Sequence, residues 1–190
     1  MGILSVRQIN ELGFASVGEN CRLSDKAAYY NCKEIHIGNN VRIDDFCVLS
    51  AGDGGIYLGD FIHIAVYSSL IGAGRISLDN FVNISSRVSI YSSSDDYSGI
   101  SMTNPMVPEE FTNVTRAPVN LGKHVIIGSG SVVLPGVNIS DGCAIGALSL
   151  VTTDCEDFFI YAGIPAKKIK ERGKGLLDLE NKFCNKYGYK

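Results

Sequence analysis

The sequence predicts an all-β fold, a parallel β-helix of about six coils with one protruding loop and a C-terminal helix. Three observations predict it. Residues 121–156 divide without remainder into six hexads: LGKHVI, IGSGSV, VLPGVN, ISDGCA, IGALSL and VTTDCE. Each opens on an aliphatic residue (Leu121, Ile127, Val133, Ile139, Ile145, Val151), and its fifth place is small or β-branched (Val125, Ser131, Val137, Cys143, Ser149, Cys155). Looser hexads recur upstream from Val17, Ile37, Leu58 and Leu78. An amphipathic helix needs apolar residues three and four apart, and a half-buried strand needs strict alternation; a six-residue period is neither. It is the period of a coil in which each hexad supplies one short strand and one turn. One coil cannot bury its apolar side chains alone, but stacked coils can.

The elements follow in chain order. Val6, Ile9 and Leu12, at helical spacing within residues 1–14, predict a short amphipathic helix. Coils then start at 17, 37, 58 and 78, spaced by 20, 21 and 20 residues, against 18 between the starts at 121 and 139. Each early coil therefore carries two or three extra residues at one corner, where Gly52-Asp53-Gly54-Gly55 and Gly72-Ala73-Gly74 supply the glycines a tight corner tolerates. The coils occupy 17–95 and 119–156. Between them, residues 96–118 lose the period altogether. A loop of that length is usually functional or disordered, and Tyr97, Met102, Met106 and Phe111 give it too much apolar surface to leave in water. It reads as a flap that packs on its own coil or on a neighbouring subunit. Residues 157–190 end in a stretch where Leu176, Leu177, Leu179 and Phe183 share a helical face, which predicts a helix capping the open last coil.

Composition narrows the function. A chain of 190 residues with 45% hydrophobic content can build one cored domain, and a net charge of −3 argues against bulk nucleic-acid binding. No apolar run reaches the ~18–20 residues of a membrane span, and the N-terminal residues lack a secretion signal's pattern. Six cysteines without a CxxC pair then read as reduced thiols, with no metal site, in a cytoplasmic protein. Among the three histidines, His36 and His124 read as surface residues. His63 is sixth in its hexad, and the sixth residues one coil before and after are Arg42 and Asn83. Stacking at ~4.8 Å per coil puts the three in one polar column, where an imidazole titrating near ~6.5 suits a general base.

The hexads, the stretch IGALSLV and the terminal YAGIPAKKIKER resemble the hexapeptide-repeat acyltransferases over about residues 17–175. Within them, RIDDFCVLSAGDGG, HIAVYSSLIGAG and SIYSSSDDYSG are most similar to the enzymes that N-acetylate dTDP-linked amino-deoxy sugars, the viosamine type. The resemblance implies a left-handed coil, a homotrimer, and acetyl-CoA bound between adjacent subunits. It implies a role in surface-polysaccharide synthesis. It assigns Gly128, Ser129, Gly146 and Ala147 to the pantetheine, Gly163, Pro165 and Ala166 to the family's glycine–X–proline–alanine turn, and Lys167, Lys168, Lys170 and Arg172 to the CoA phosphates.

The resemblance breaks at the catalytic group. Galactoside-type members carry a glycine–histidine–proline where the loop begins, and that histidine is their base; here the stretch reads Ser94-Asp95-Asp96-Tyr97. Their asparagine one coil earlier falls on Ala65. A hydroxyl acceptor needs a base in the ground state, whereas an amine loses its proton only after attack. The missing histidine therefore favours an amine acceptor. His63 is the preferred base, with Asp95 or Asp96 steering the ammonium form and taking a late proton. Arg42, Asn83, Ser93, Ser94 and Tyr97 are candidates to hold the sugar. Two other functions compete: O-acetylation of a sugar hydroxyl, and a noncatalytic or zinc-binding β-helix, which the unmatched hexad phases of His36, His63 and His124 disfavour.

Overall fold

The structure, a computed structural model, describes residues 2–189. Its coils form a three-sided prism. Face 1 stacks the strands Ser16–Val17, Ile35–Ile37, Ile56–Leu58, Ile76–Leu78, Val119–Leu121 and Asn138–Ile139. Face 2 stacks Arg22–Leu23, Arg42–Ile43, His63–Ile64, Asn83–Ile84, Ile126–Ile127 and Ala144–Ile145, and is extended by the hairpin of Phe159–Gly163 and Ala166–Glu171. Face 3 stacks Ala28–Tyr30, Val48–Ala51, Ser69–Gly72, Ser89–Tyr91, Val132–Val133 and Leu150–Val151. Pairing between successive coils is parallel on all three faces. After six complete coils, the bridge of Cys155 to Ile139 and the strand Phe159–Gly163 begin another, so the solenoid makes about seven turns.

The period explains the core. All six first-place aliphatics of residues 121–156 are at most 3% exposed, and Val125, Ser131, Val137, Cys143, Ser149 and Cys155 are buried with them. The corner between faces 1 and 2 has its own logic. Asn20, Asn40, Phe61, Phe81, His124, Gly142 and Phe158 occupy it in successive coils, all at positive φ. Bulky residues resist that conformation, but here each ring gains a neighbour: Phe61 stacks on Phe81 at 5.0 Å, and Phe81 on His124 at 4.8 Å. Gly142 interrupts the ladder because the Phe158 ring fills the space a Cβ there would take.

The loop leaves the stack intact. Ile76 pairs directly with Val119, so the chain exits after one coil and re-enters in register at the next. Its neck is an antiparallel pair, Ser93–Ser94 with Thr115–Arg116. The loop does not pack on its own coil: Tyr97, Ile100 and Met106 are almost fully exposed, and Met102 and Phe111 more than half.

Three expectations are corrected. The N-terminal helix α1 (Val6–Leu12) forms with a Ser5–Gln8 capping box, but only Ile9 of its apolar residues packs against the core, while Val6 and Leu12 stay exposed. The C-terminal helix α2 (Gly175–Tyr187) does not cap the last coil. It lies along the corner between faces 1 and 2, with Phe183 edge-on to Phe61 and Phe81 and Tyr189 edge-on to Phe61. The aromatic ladder there gives Phe183 and Tyr189 ring partners, while the 159–171 hairpin already extends the coil end. His124 is consequently not a surface residue: its side chain is 14% exposed, and Nε2 meets Glu180 Oε2 at 2.7 Å. Lys167, Lys168 and Lys170 lie on the second strand of the 159–171 hairpin.

Candidate active site

The predicted column exists. Arg42 pairs with His63 and His63 with Asn83 across neighbouring strands of face 2, and all three side chains point outward. The imidazole is held on both sides. Nδ1 lies 3.2 Å from Asn83 Oδ1, and Nε2 lies 2.9 Å from Asp44 Oδ2. Arg42 Nε donates to the other oxygen of Asp44 at 2.7 Å. Burial raises the Asp44 pKa, but hydrogen bonds from His63 and Arg42 outweigh it, and the carboxyl sits below its ordinary range. An ionised carboxylate only accepts, so His63 Nε2 carries a hydrogen and leaves no lone pair there to act as base.

Asp44 was missed by sequence reasoning. The available signal is alignment of the coils: Asp44 follows the inward Ile43 where later coils place Ala65, Ser85, Gly128 and Gly146. The small Ala65 in the adjacent coil leaves room for an acid to reach across to His63.

A second group forms at the neck of the loop. Ser93 and Asp95 line two adjoining cavities of about 720 and 430 Å³. The larger is walled by the loop residues Asn104, Glu109 and Arg116, the smaller by Ser94, Tyr97, Tyr91 and Leu134. The Asp95 side chain is exposed and makes no hydrogen bond or ion pair among the described residues. Its neighbour differs: Asp96 accepts from the amides of Ser98 at 2.8 Å and Ser101 at 3.1 Å. Those bonds, the Ser98 contacts first, hold the Asp96 carboxyl below its usual range. Asp96 thus builds the first turn of the loop, while Asp95 is left for a ligand. The sequence's grouping of Ser93, Ser94, Asp95 and Tyr97 is spatially coherent. Within one chain it stands apart from His63, which belongs to another face.

The expected cofactor residues divide in two. Gly128, Ser129, Gly146 and Ala147 line the corner between faces 2 and 3. Its glycines have a reason of their own, since a Cβ on Gly128 would lie 2.4 Å from the Ala147 amide. Gly163 closes the hairpin at φ +107°, joining the strand that ends there to the one starting at Ala166, with Pro165 between them. Lys168 pairs with Glu156 at 2.7 Å and covers the Phe159 ring. Arg172 Nη1 donates to the carbonyls of Gly142 at 2.8 Å and His124 at 3.0 Å, fixing the hairpin to the coils. Lys167 and Lys170 are exposed and make no side-chain hydrogen bond or ion pair among the described residues. Burial pushes the Cys47 thiol up to about 11, out of the reactive range at neutral pH.

No family model matches the chain. It is 60% identical over 183 residues to a dTDP-4-amino-4,6-dideoxy-D-glucose acyltransferase of Escherichia coli, covering 96% of this chain and 95% of that one. Among solved structures it matches AntD, an N-acyltransferase from Bacillus cereus in complex with dTDP and 3-hydroxybutyryl-CoA, at TM-score 0.94 and 43% identity, covering 99% of this chain and 100% of that one. A variant of AntD in complex with dTDP-4-amino-4,6-dideoxyglucose and coenzyme A matches at TM-score 0.92 and 43% identity, covering 97% of this chain and 98% of that one.

Proposed function

The chain belongs to the hexapeptide-repeat β-helix acyltransferases, and from that premise we propose that it transfers an acyl group from a CoA thioester to the amino group of dTDP-4-amino-4,6-dideoxyglucose. The observation that carries the site assignment is the unengaged Asp95 carboxylate at the mouth of two cavities. The neutral sugar amine attacks the thioester carbonyl, and backbone N–H groups stabilise the oxyanion. Asp95 orients the incoming amine and takes its proton once the C–N bond has formed. The C–S bond then breaks, the sulfur takes the proton held by Asp95, and CoA leaves as the thiol with Asp95 returned to its carboxylate. Acetyl is the proposed acyl group, on the likeness of the loop and coil motifs to the viosamine-type enzymes.

The enzyme acts as a homotrimer in this reading, and the three faces support it unequally. The outward residues of face 1 are Ser16, His36, Tyr57, Ser77, Asn120 and Asn138, a polar surface suited to water. Face 3 turns out Tyr30, Val48, Ile71, Tyr91, Val132 and Leu150 among the serines Ser50, Ser69 and Ser89, with each of the apolar five after Tyr30 only partly covered by its own chain. A face that much more apolar than face 1, next to a loop whose apolar tips lack contacts, calls for another subunit. Asp95 of one subunit then reaches the face 2 column and the Gly128–Gly146 corner of the next, with Lys167 and Lys170 near the CoA phosphates. Six unpaired cysteines suit the reducing cytoplasm, the proposed location.

Thiol release with a panel of CoA thioesters and dTDP-4-amino-4,6-dideoxyglucose tests the reaction. Turnover dependent on both substrates is expected, fastest with acetyl-CoA. Acylation of a sugar lacking the amine at an equal rate would overturn the amine assignment. Light scattering at micromolar concentration should give three times the 20.4 kDa chain mass, and a monomer would remove the composite site.

A further inference from the structure

The face 2 column leans on one buried carboxylate whose purpose the transfer chemistry does not explain. The Asp44 side chain is 9% exposed, whereas Arg42 and His63, which it binds with one oxygen each, are 50% and 40% exposed. A carboxylate is costly to bury unless charged donors satisfy it, and here both donors face outward from it. The consequence is directional. Asp44 takes Nε of Arg42 and Nε2 of His63, leaving both Nη groups of Arg42 without a partner among the described residues. Arg22 stands next to Arg42 in the same column, paired with it across the strands. Asn83 follows His63 at the other end. Two guanidiniums, an imidazole and an amide thus line one face at the ~4.8 Å spacing of adjacent strands, with a single buried anion fixing the middle two.

We propose that the guanidiniums of this column bind the diphosphate of the nucleotide sugar, and that Asp44, held from its other side by His63, is the positioning residue that aims Arg42 at it. Guanidinium groups match phosphate oxygens in pairs, and a fixed guanidinium loses less entropy on binding than a free one. His63 in this role braces Asp44 and does not itself reach the phosphates, since its two ring nitrogens face Asp44 and Asn83. The inference rests on the nucleotide-sugar reading above.

CoA also carries a diphosphate, so the test measures the two ligands separately. Calorimetric titration of dTDP alone and of CoA alone into the wild-type protein, Arg42→Gln and Asp44→Asn reads binding without turnover. We expect the Kd for dTDP to weaken about tenfold in both variants and the Kd for CoA to stay within twofold. In the transfer assay, the loss should fall mainly on KM for the sugar and not on kcat, and Asp44→Glu should restore part of it. Nitrogen NMR of the wild-type His63 ring should find the hydrogen on Nε2. Unchanged dTDP affinity in folded Arg42→Gln overturns the proposal even if Asp44→Asn fails to fold. Weakened CoA with unaffected dTDP would also overturn it, by giving the column to the other diphosphate. A wild-type protein that binds dTDP but transfers nothing would count against the transfer reading and leave this one standing.

Discussion

His63 and Asp95 are both outward-facing polar residues, and they differ in almost every physical respect. His63 sits on a strand bonded to coils on either side, with Asp44 and Asn83 holding its two nitrogens. Asp95 sits just past the two-residue neck of a loop, exposed, with no donor on its carboxylate among the described residues. His63 has Nε2 committed to Asp44 and Nδ1 closed off by Asn83, whereas the Asp95 carboxylate is open. A group that is fully satisfied in the resting protein orients and binds, while a group left unsatisfied at a cavity mouth is available for chemistry. The same contrast separates Asp96 from Asp95, since the adjacent carboxylate is occupied by two loop amides.

The contrast can be broken at several points, the largest first. Excising residues 98–114 removes the wall of the larger cavity while keeping the neck strands. We expect at least ~10²-fold loss of kcat/KM, with the thermal transition retained because Ile76 pairs with Val119 independently of the loop. Unaltered kinetics would reduce the loop to an insertion. Asp96→Ala frees the amides of Ser98 and Ser101, and the misplaced neck should cost about tenfold in kcat/KM; a rate equal to wild type would mean that the turn does not position Asp95.

Phe183→Ala addresses the opposite corner, where α2 packs edge-on against Phe61 and Phe81. Stability should fall by about 1–2 kcal/mol in chemical denaturation with kinetics preserved, whereas an equal loss of activity would tie that corner to the site. The smallest effect is a pH dependence at Glu180. Burial raises its pKa, but bonds from His124 and Lys123 more than compensate, so the folded value is depressed. Its contribution is therefore present above the unfolded value near ~4.3 and is lost as pH falls through the lower folded value. Acidification through that window should lower Tm more in wild type than in Glu180→Gln, and parallel curves would show that the bond adds nothing.

How much of this was legible depended on whether a residue obeyed the period. The first-place aliphatics, the buried fifth-place column and the Arg42–His63–Asn83 register all follow from counting in sixes, and the structure places each accordingly. The neck group was legible from the point where counting fails. What escaped were contacts between distant segments. Glu180 meets His124 across 56 residues, and no hexad phase encodes where a helix outside the array will lie. Arg172 looked like a phosphate ligand because cations cluster around it, yet its Nη1 faces three backbone carbonyls, which carry no sequence signature. Asp44 lay one residue outside the positions being compared.

The central claim is that the loop carboxylate, not the strand imidazole, takes the proton. The direct measurement is kcat by thiol release, at saturating CoA thioester and sugar, for Asp95→Asn beside His63→Gln. The account predicts at least ~10²-fold loss of kcat in Asp95→Asn with CoA affinity intact, and a His63→Gln defect concentrated in KM for the sugar. A near-wild-type kcat in Asp95→Asn, with the ~10²-fold loss appearing in His63→Gln instead, would contradict it.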